Sequence, residues 1–336
     1  MFEATGNTPL LRIKSLSAAT GCTILGKAEW LNPSGSVKDR AAKQIIIEAE
    51  RSGKLKKGGT IIEASGGNTG VALAAMSASM GYKCVIFMPN CIAEEKVKLA
   101  ENFGAKVILA PLVGRHHEEH FEAQAKKLGR ETHNAVHTNQ FANLANYRAH
   151  FMGTGPELWR QSGGNVDAFV CAAGTGGTLA GVSTFLKNAS DDRVKCYLMD
   201  PMGSSLFHWV NSGAFKKEDS SFIEGIGKDH LTENFKQCTL DGAVRGTDQE
   251  AIDMVYYLMR HEGICIGPSA ALNLVGAVKV ARKLGKGSIV STVICDSGER
   301  YNTKVFNKKF LIANDILPSD SVTDLESDGS DISFVK

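Results

Sequence analysis

The stretch NPSGSVKDR, Asn32 to Arg40, decides how this chain is read. It sets one lysine, Lys38, between an apolar, β-compatible run, CTILGKAEWL (Cys22 to Leu31), and AAKQIIIEAERSG, whose apolar residues recur at helical spacing up to a stop at Gly53. Pro33, Gly35 and the two serines make the entry to that helix a rigid turn and not a solvated helix face. A lysine held in such a turn can form a Schiff base.

Two glycine-rich turns lie downstream, ASGGNTG (Ala64 to Gly70) and AAGTGGT (Ala172 to Thr178), each after a short apolar strand and each opening a helix of small residues. At such helix starts the free backbone N–H groups and the positive end of the helix dipole favour an anion. One cradle suits a carboxylate and the other a phosphate, with the Gly174 to Thr178 amides and the hydroxyls of Thr175 and Thr178 around it. Neither is a nucleotide loop by pattern. The first lacks the P-loop lysine and the G-x-G-x-x-G spacing, and the second has Leu179 where a dinucleotide fingerprint needs a third glycine. One lysine with two anion cradles fits pyridoxal phosphate carrying an amino acid.

Composition bounds the rest. With 336 residues, 43% of them hydrophobic and 22% charged, the chain can bury a large core and is expected to divide into two lobes. Its 38 basic and 36 acidic residues are dispersed, giving +2 overall, so no global field favours nucleic acid or an anionic membrane. Eight cysteines without a C-x-x-C pair read as free thiols in a reducing compartment. The start, MFEATGNTPLLRI, has neither an apolar signal core nor an Arg-rich presequence, and no run reaches the ~18 apolar residues of a membrane span, so a cytoplasmic protein is expected.

From Thr60 to about Gln140 strands and helices alternate: TIIEA, a helix over 68–80, CVIFMP, a helix over 93–103, KVILA, a helix over 116–129, then AVHT. This pattern predicts a parallel sheet covered by helices on both faces. Gly81 caps the 68–80 helix, and Thr247 with Glu250 forms a capping box. The 263–285 stretch reads as a turn and an amphipathic helix ended by Gly285. In RHHEEH (Arg115 to His120), His116 and His120 have a spacing two helical metal ligands could use, but the cluster falls outside every motif above and no metal is assigned.

Lys38 in its turn, SGGNTG, GTGGT and DSGERY (Asp296 to Tyr301), in this order from about Gly6 to Leu311, resemble the β-family (fold type II) of pyridoxal-phosphate enzymes. Within it the chain is similar to the cysteine synthase and cystathionine β-synthase group. The resemblance implies an α/β fold of two lobes, each with a mostly parallel sheet flanked by helices. These would be a large cofactor lobe of residues 1–39 plus 145–313 and a small mobile lobe of 40–144. It implies Lys38 as the Schiff-base lysine and general base, Asn68 on the cofactor ring oxygen, Gly174, Thr175, Gly176, Gly177 and Thr178 on the phosphate, and Ser297 at the pyridine nitrogen. Ser65, Gly66, Gly67, Asn68, Thr69 and Gln140 would take the substrate carboxylate, and Gly225 and Gly227 would line the pocket. A homodimer is implied as well.

Two departures stand out: Gly66 replaces a hydroxyl, and PNCIAEEKVKL (Pro89 to Leu99) differs from the usual Pro-x-x-Met-Ser-x-Glu-Arg. The implied reaction is elimination of acetate from O-acetylserine and addition of sulfide, giving cysteine. A neutral serine at the pyridine nitrogen favours prompt loss of a β-leaving group over transamination, and Thr69 stands where dehydratase and racemase relatives tend to have histidine. The same residues suit cystathionine formation, cysteine desulfhydration, cyanoalanine synthesis, or a non-catalytic metabolite sensor that keeps the cofactor. Residues 314–336, with five acidic residues after Leu317 and little apolar content, are expected to form a disordered acidic tail.

Overall fold

Short β-branched runs alternate with helical ones in the folded chain, and the structure, a computed structural model, describes every residue except Ala93, Arg115, Leu325 and Glu326. The strands among the described residues are β1 (Leu10–Arg12), β2 (Thr23–Ala28), β3 (Thr60–Ala64), β4 (Lys83–Pro89), β5 (Lys106–Ala110), β6 (Ala135–His137), β7 (Ala168–Ala172), β8 (Lys195–Pro201), β9 (Gly242–Gly246) and β10 (Ile289–Ile294). The helices are α1 (Lys14–Thr20), α2 (Lys38–Arg51), α3 (Asn68–Met80), α4 (Glu94–Asn102), α5 (Phe121–Glu131), α6 (Ala145–Ala149), α7 (Gly155–Gln161), α8 (Gly177–Ala189), α9 (Leu206–Ser212), α10 (Asp248–His261), α11 (Pro268–Leu284), α12 (Lys308–Ala313) and α13 (Asp320–Thr323).

The strands build two sheets. One has the order β1-β2-β10-β7-β8-β9, parallel except for the antiparallel edge strand β1. The other, β5-β4-β3-β6, is parallel throughout. Parallel neighbours need crossover connections, and helices supply them. All the candidate turns therefore leave the carboxyl ends of strands, SGGNTG after β3, GTGGT after β7 and DSGERY after β10, which is where open α/β sheets bind ligands.

Several expectations need correction. The helix expected over 116–129 starts only at Phe121; His117 to His120 form a turn, and the His120 ring accepts the Glu122 N–H at 3.3 Å as an N-cap. The two histidines thus do not share a helix face, Arg115 lies outside the described residues, and no cluster of three or more metal-ligating side chains occurs among the described residues. Helix α11 is not amphipathic: thirteen of its 17 residues are buried, because it is sandwiched between the larger sheet and α10. Strand β9 and helix α9 were not read from the sequence at all.

The carboxyl-terminal segment is the largest difference. Ile316, Val322, Ile332, Phe334 and Val335 are buried in the core formed around α10 and α11. Polar contacts reinforce them: Ser319 donates from both its N–H and its hydroxyl to Asp253 at 2.8 Å, Tyr257 donates to the Gly329 carbonyl at 2.6 Å, and Arg282 donates to the Ile332 carbonyl at 3.0 Å. Few apolar residues suffice here because each one meets an existing helix pair and none must build a core of its own. Among the described residues no helix is long and apolar enough to cross a membrane.

Candidate active site

Lys38 is the first residue of α2, and its loop is pinned to the end of β10: the Val37 N–H donates to the Cys295 carbonyl at 2.8 Å, and Ser36 pairs with Asp296. Beneath the loop Asp39 accepts the Ser34 N–H at 2.6 Å and the Ser34 hydroxyl. Burial pushes the Asp39 carboxyl up to about 6 against those hydrogen bonds. The next residue, Arg40, is held by two carboxylates, Nε to Glu29 at 2.7 Å and Nη1 to Glu157 at 2.8 Å, while Lys27 binds Glu157 at 2.7 Å. Burial pushes the Glu157 carboxyl up, but the hydrogen bonds and charges of Arg40 and Lys27 win and hold it at about 2. This buried charge cluster makes the lysine turn part of the frame and not a surface loop.

The half-buried Lys38 side chain lies among groups that feel its charge: it opposes the upward shift that burial imposes on Cys171 and Cys295, and it helps keep His150 neutral. Burial pushes the Cys295 thiol up to about 12, so neither cysteine is a ready nucleophile.

The GTGGT turn has no room for side chains. A Cβ on Gly174 would overlap the Gly225 carbonyl oxygen and lie 2.9 Å from its carbon; on Gly176, at φ +85°, it would lie 2.6 Å from Phe235 Cα; on Gly177, 2.5 Å from Asn146 Cγ. The backbone therefore presents bare N–H groups at the start of α8. Thr175 accepts Asn146 Nδ2 at 2.9 Å, and Thr178 Oγ1 meets His150 Nε2 at 3.1 Å. His150 is fully enclosed within a π-helical turn (His150–Thr154), and burial, then the charges of Arg40 and Lys38, keep its imidazole un-ionised. Gly227 donates its N–H to the Ala173 carbonyl at 2.9 Å, so the 223–231 loop does close over this turn.

At the other cradle, Ser65 Oγ accepts the N–H groups of Gly67 and Gly70, both at 3.3 Å, which closes the turn on itself. Asn68, the first residue of α3, donates to Asp296 at 2.6 Å and accepts from Arg300 at 2.9 Å. Thr69 donates to Gln140 Oε1 at 2.6 Å. The chain continues from Gln140, whose carbonyl accepts Asn146 Nδ2 at 3.0 Å, and the same amide reaches Thr175. The two anion cradles are thus joined through Thr69, Gln140, Asn146 and Thr175. The two sequence departures also meet: a Cβ on Gly66 would lie 2.8 Å from Ile92 Cδ1, so Ile92 fills the space a side chain at position 66 would take.

Ser297 is half-buried and paired through its backbone with Ile266; Ser269, the second residue of α11, sets a buried hydroxyl against the Cys295 thiol. Asp296 is fully buried, bound to Asn68 and to the Tyr301 hydroxyl at 2.7 Å, with its Oδ1 unpartnered. Asp296 and Arg300 stand inside DSGERY, which the sequence reading used only for its serine. Asn146 and His150 carried no spacing signal, because their roles come from packing against the glycine turns.

A lysine at a rigid turn, a side-chain-free nest at a helix start and a linked second nest fit a phosphate-bearing aldehyde cofactor with an amino-acid substrate. Comparison with known proteins agrees. The family described as "Pyridoxal-phosphate dependent enzyme" matches residues 1–296. A cysteine synthase of Dictyostelium discoideum is 47% identical, covering 100% of this chain and 89% of the relative. Cysteine synthase 1 of Neurospora crassa is 48% identical over 94% of this chain and 85% of its own. A cystathionine beta-synthase of Dictyostelium discoideum is 35% identical over 94% of this chain and 63% of its own. With its lysine turn and both glycine nests in place, the chain belongs to the pyridoxal-phosphate dependent enzymes.

Proposed function

We propose that the protein is a cysteine synthase that replaces the acetoxy group on Cβ of O-acetylserine with sulfide, releasing L-cysteine and acetate. The observation that carries this reading is the full-length similarity to two cysteine synthases at 47% and 48% identity, together with the lysine turn and paired nests described above.

When bound, pyridoxal phosphate supplies the electron sink for chemistry at the amino acid's Cα. The chain supplies placement. Gly174 to Thr178 hold the phosphate through backbone N–H groups, with Thr175 and Thr178 as hydroxyl donors. The neutral His150 steadies Thr178 without adding charge. Asn68, held in orientation by Asp296 and Arg300, would bind the ring oxygen. Ser297 would offer a neutral hydroxyl to the ring nitrogen. The substrate carboxylate is taken by the 65–69 turn and by Gln140. Thr69 occupies that residue's Oε1, which leaves the amide's N–H donors for the ligand. Lys38 would anchor the cofactor at rest and would be the base that takes the Cα proton and later returns it. Acetate departs with its bonding electrons, sulfide forms the new bond at Cβ, and closure of the 40–144 lobe excludes water.

The chain is further proposed to work as a homodimer, as its resemblance implies, and in the cytoplasm, where its free cysteines would stay reduced. The test is product analysis of the cofactor-loaded enzyme. Cysteine should form from O-acetylserine and sulfide faster than cystathionine from serine and homocysteine, or cyanoalanine from cysteine and cyanide. Absence of cysteine formation would overturn the assignment.

A further inference from the structure

Resting on that reading, we propose that Glu63 is a positioning residue for the substrate-carboxylate clamp, fixing Gln140 so that its amide meets the amino acid. Glu63 is the penultimate residue of β3 and 2% exposed. Its Oε1 accepts the Ala64 N–H at 2.8 Å, and its Oε2 accepts the Thr138 hydroxyl at 2.6 Å and the Gln140 N–H at 3.0 Å. Between the last two, Asn139 takes a left-handed conformation at φ +48°, so the chain turns back sharply after β6 and the carboxylate bridges both sides of the turn. A carboxylate buried at the end of a parallel strand is costly unless its charge is used. Here one oxygen binds Ala64, the residue just before the SGGNTG turn, and the other binds Gln140, the residue that faces that turn. Glu63, Gln140 and Thr69 therefore form one linked unit across the clamp.

The ionised form is needed, because an un-ionised carboxyl gives up one acceptor to become a donor. On its other side Glu63 borders a cavity of about 290 Å³ with Glu122 and Lys126 from α5, His137 from β6, and His230 and Glu233 from the loop between α9 and β9. His137 Nε2 is 3.9 Å from Oε1, and the Cys84 thiol of β4 feels the carboxylate from below. Burial pushes the Glu63 carboxyl up to about 7 against its three hydrogen bonds, with Glu122 pushing the same way. Substrate hold should thus tighten as pH rises through neutrality.

The experiment is steady-state kinetics of the cofactor-loaded Glu63→Gln enzyme, with titration of its visible spectrum by L-alanine as an unreactive amino acid. A glutamine can accept on one side only, so either the Ala64 or the Gln140 N–H meets an NH₂ group. At about pH 8 the KM for O-acetylserine and the L-alanine dissociation constant should rise about tenfold, as expected for one charge-assisted bond, with kcat within about threefold and the KM for sulfide unchanged. At about pH 6 the gap from the wild type should close. An equal KM change at both pH values, or a fall in kcat alone, overturns the proposal. Should Glu63→Gln fail to fold, Thr138→Val decides: a KM rise with kcat kept supports the proposal, and an unchanged KM overturns it. A wild-type enzyme that binds L-alanine but makes no cysteine would sink the proposed function while leaving this inference standing.

Discussion

Gly174→Ala and Gly67→Ala place the same methyl group in the two glycine nests and should have opposite consequences. On Gly174 the added Cβ overlaps the Gly225 carbonyl oxygen and lies 2.9 Å from Gly225 C and 3.6 Å from Ile226 N. Both partners are backbone, so no rotamer change relieves the clash, and the 173–175 and 225–227 segments must separate by about 1 Å. That breaks the Gly227 to Ala173 hydrogen bond of 2.9 Å and turns the nest's N–H groups away from a phosphate. Losing one neutral hydrogen bond and about one charge-assisted one amounts to about 3 kcal/mol, or roughly 100-fold in cofactor Kd. On Gly67 the added Cβ meets nothing within 4 Å at an extended φ of −122°, so the cost is less than about 1 kcal/mol of helix capping. The assay is titration of each refolded apoprotein with pyridoxal phosphate in phosphate-free buffer, read at the visible band, with far-UV circular dichroism as the fold check. A Gly174→Ala protein that folds and binds cofactor within about threefold of the wild type would refute this prediction, since threefold is only about 0.7 kcal/mol against the expected ~3 kcal/mol.

Three further outcomes are expected. Glu157 is held at about 2 against an ordinary 4.5, so its stabilisation is present above pH 4.5 and lost as pH falls toward 2; it amounts to roughly 3 kcal/mol. Urea unfolding should show the gap between wild type and Glu157→Gln narrowing as pH drops through that window, whereas Asp39 and Glu63, raised to about 6 and 7, act in the opposite sense and favour the folded state less as pH rises. Removing residues 316–336 exposes the α10 and α11 surface now covered by Val322, Phe334 and Val335, and Tm should fall by at least about 5 °C in calorimetry; an unchanged Tm would mean the segment does not pack. Gly66→Ser forces Ile92 from its rotamer at about 1 kcal/mol and should raise the KM for O-acetylserine about fivefold, while Gly66→Ser with Ile92→Ala recovers it; additive effects would contradict the contact.

The alternation of strands and helices between Thr60 and Gln140 was legible because parallel strands buried on both faces read as continuous apolar runs. The GTGGT nest was legible too, since Gly174, Gly176 and Gly177 stand where packed neighbours leave no room for a side chain. Strand β9, GAVRG, escaped because it is a short edge strand with glycine at both ends. The carboxyl-terminal segment misled for a related reason: its apolar residues are too sparse to signal a fold, yet each finds a groove already built by α10 and α11. Within the site, Lys38, Asn68 and Gln140 stood out only in their motifs. Glu63, Asn146, His150 and Asp296 are positioned by partners more than 25 residues away in sequence, and no local pattern records that.

The most direct test is to reduce the purified, coloured enzyme with borohydride and map the fixed cofactor by peptide mass spectrometry. The pyridoxyl group should be found on Lys38 and on no other lysine, with the colour absent from Lys38→Ala. Labelling of a different lysine, or a Lys38→Ala protein that keeps a reducible visible band, would contradict this assignment.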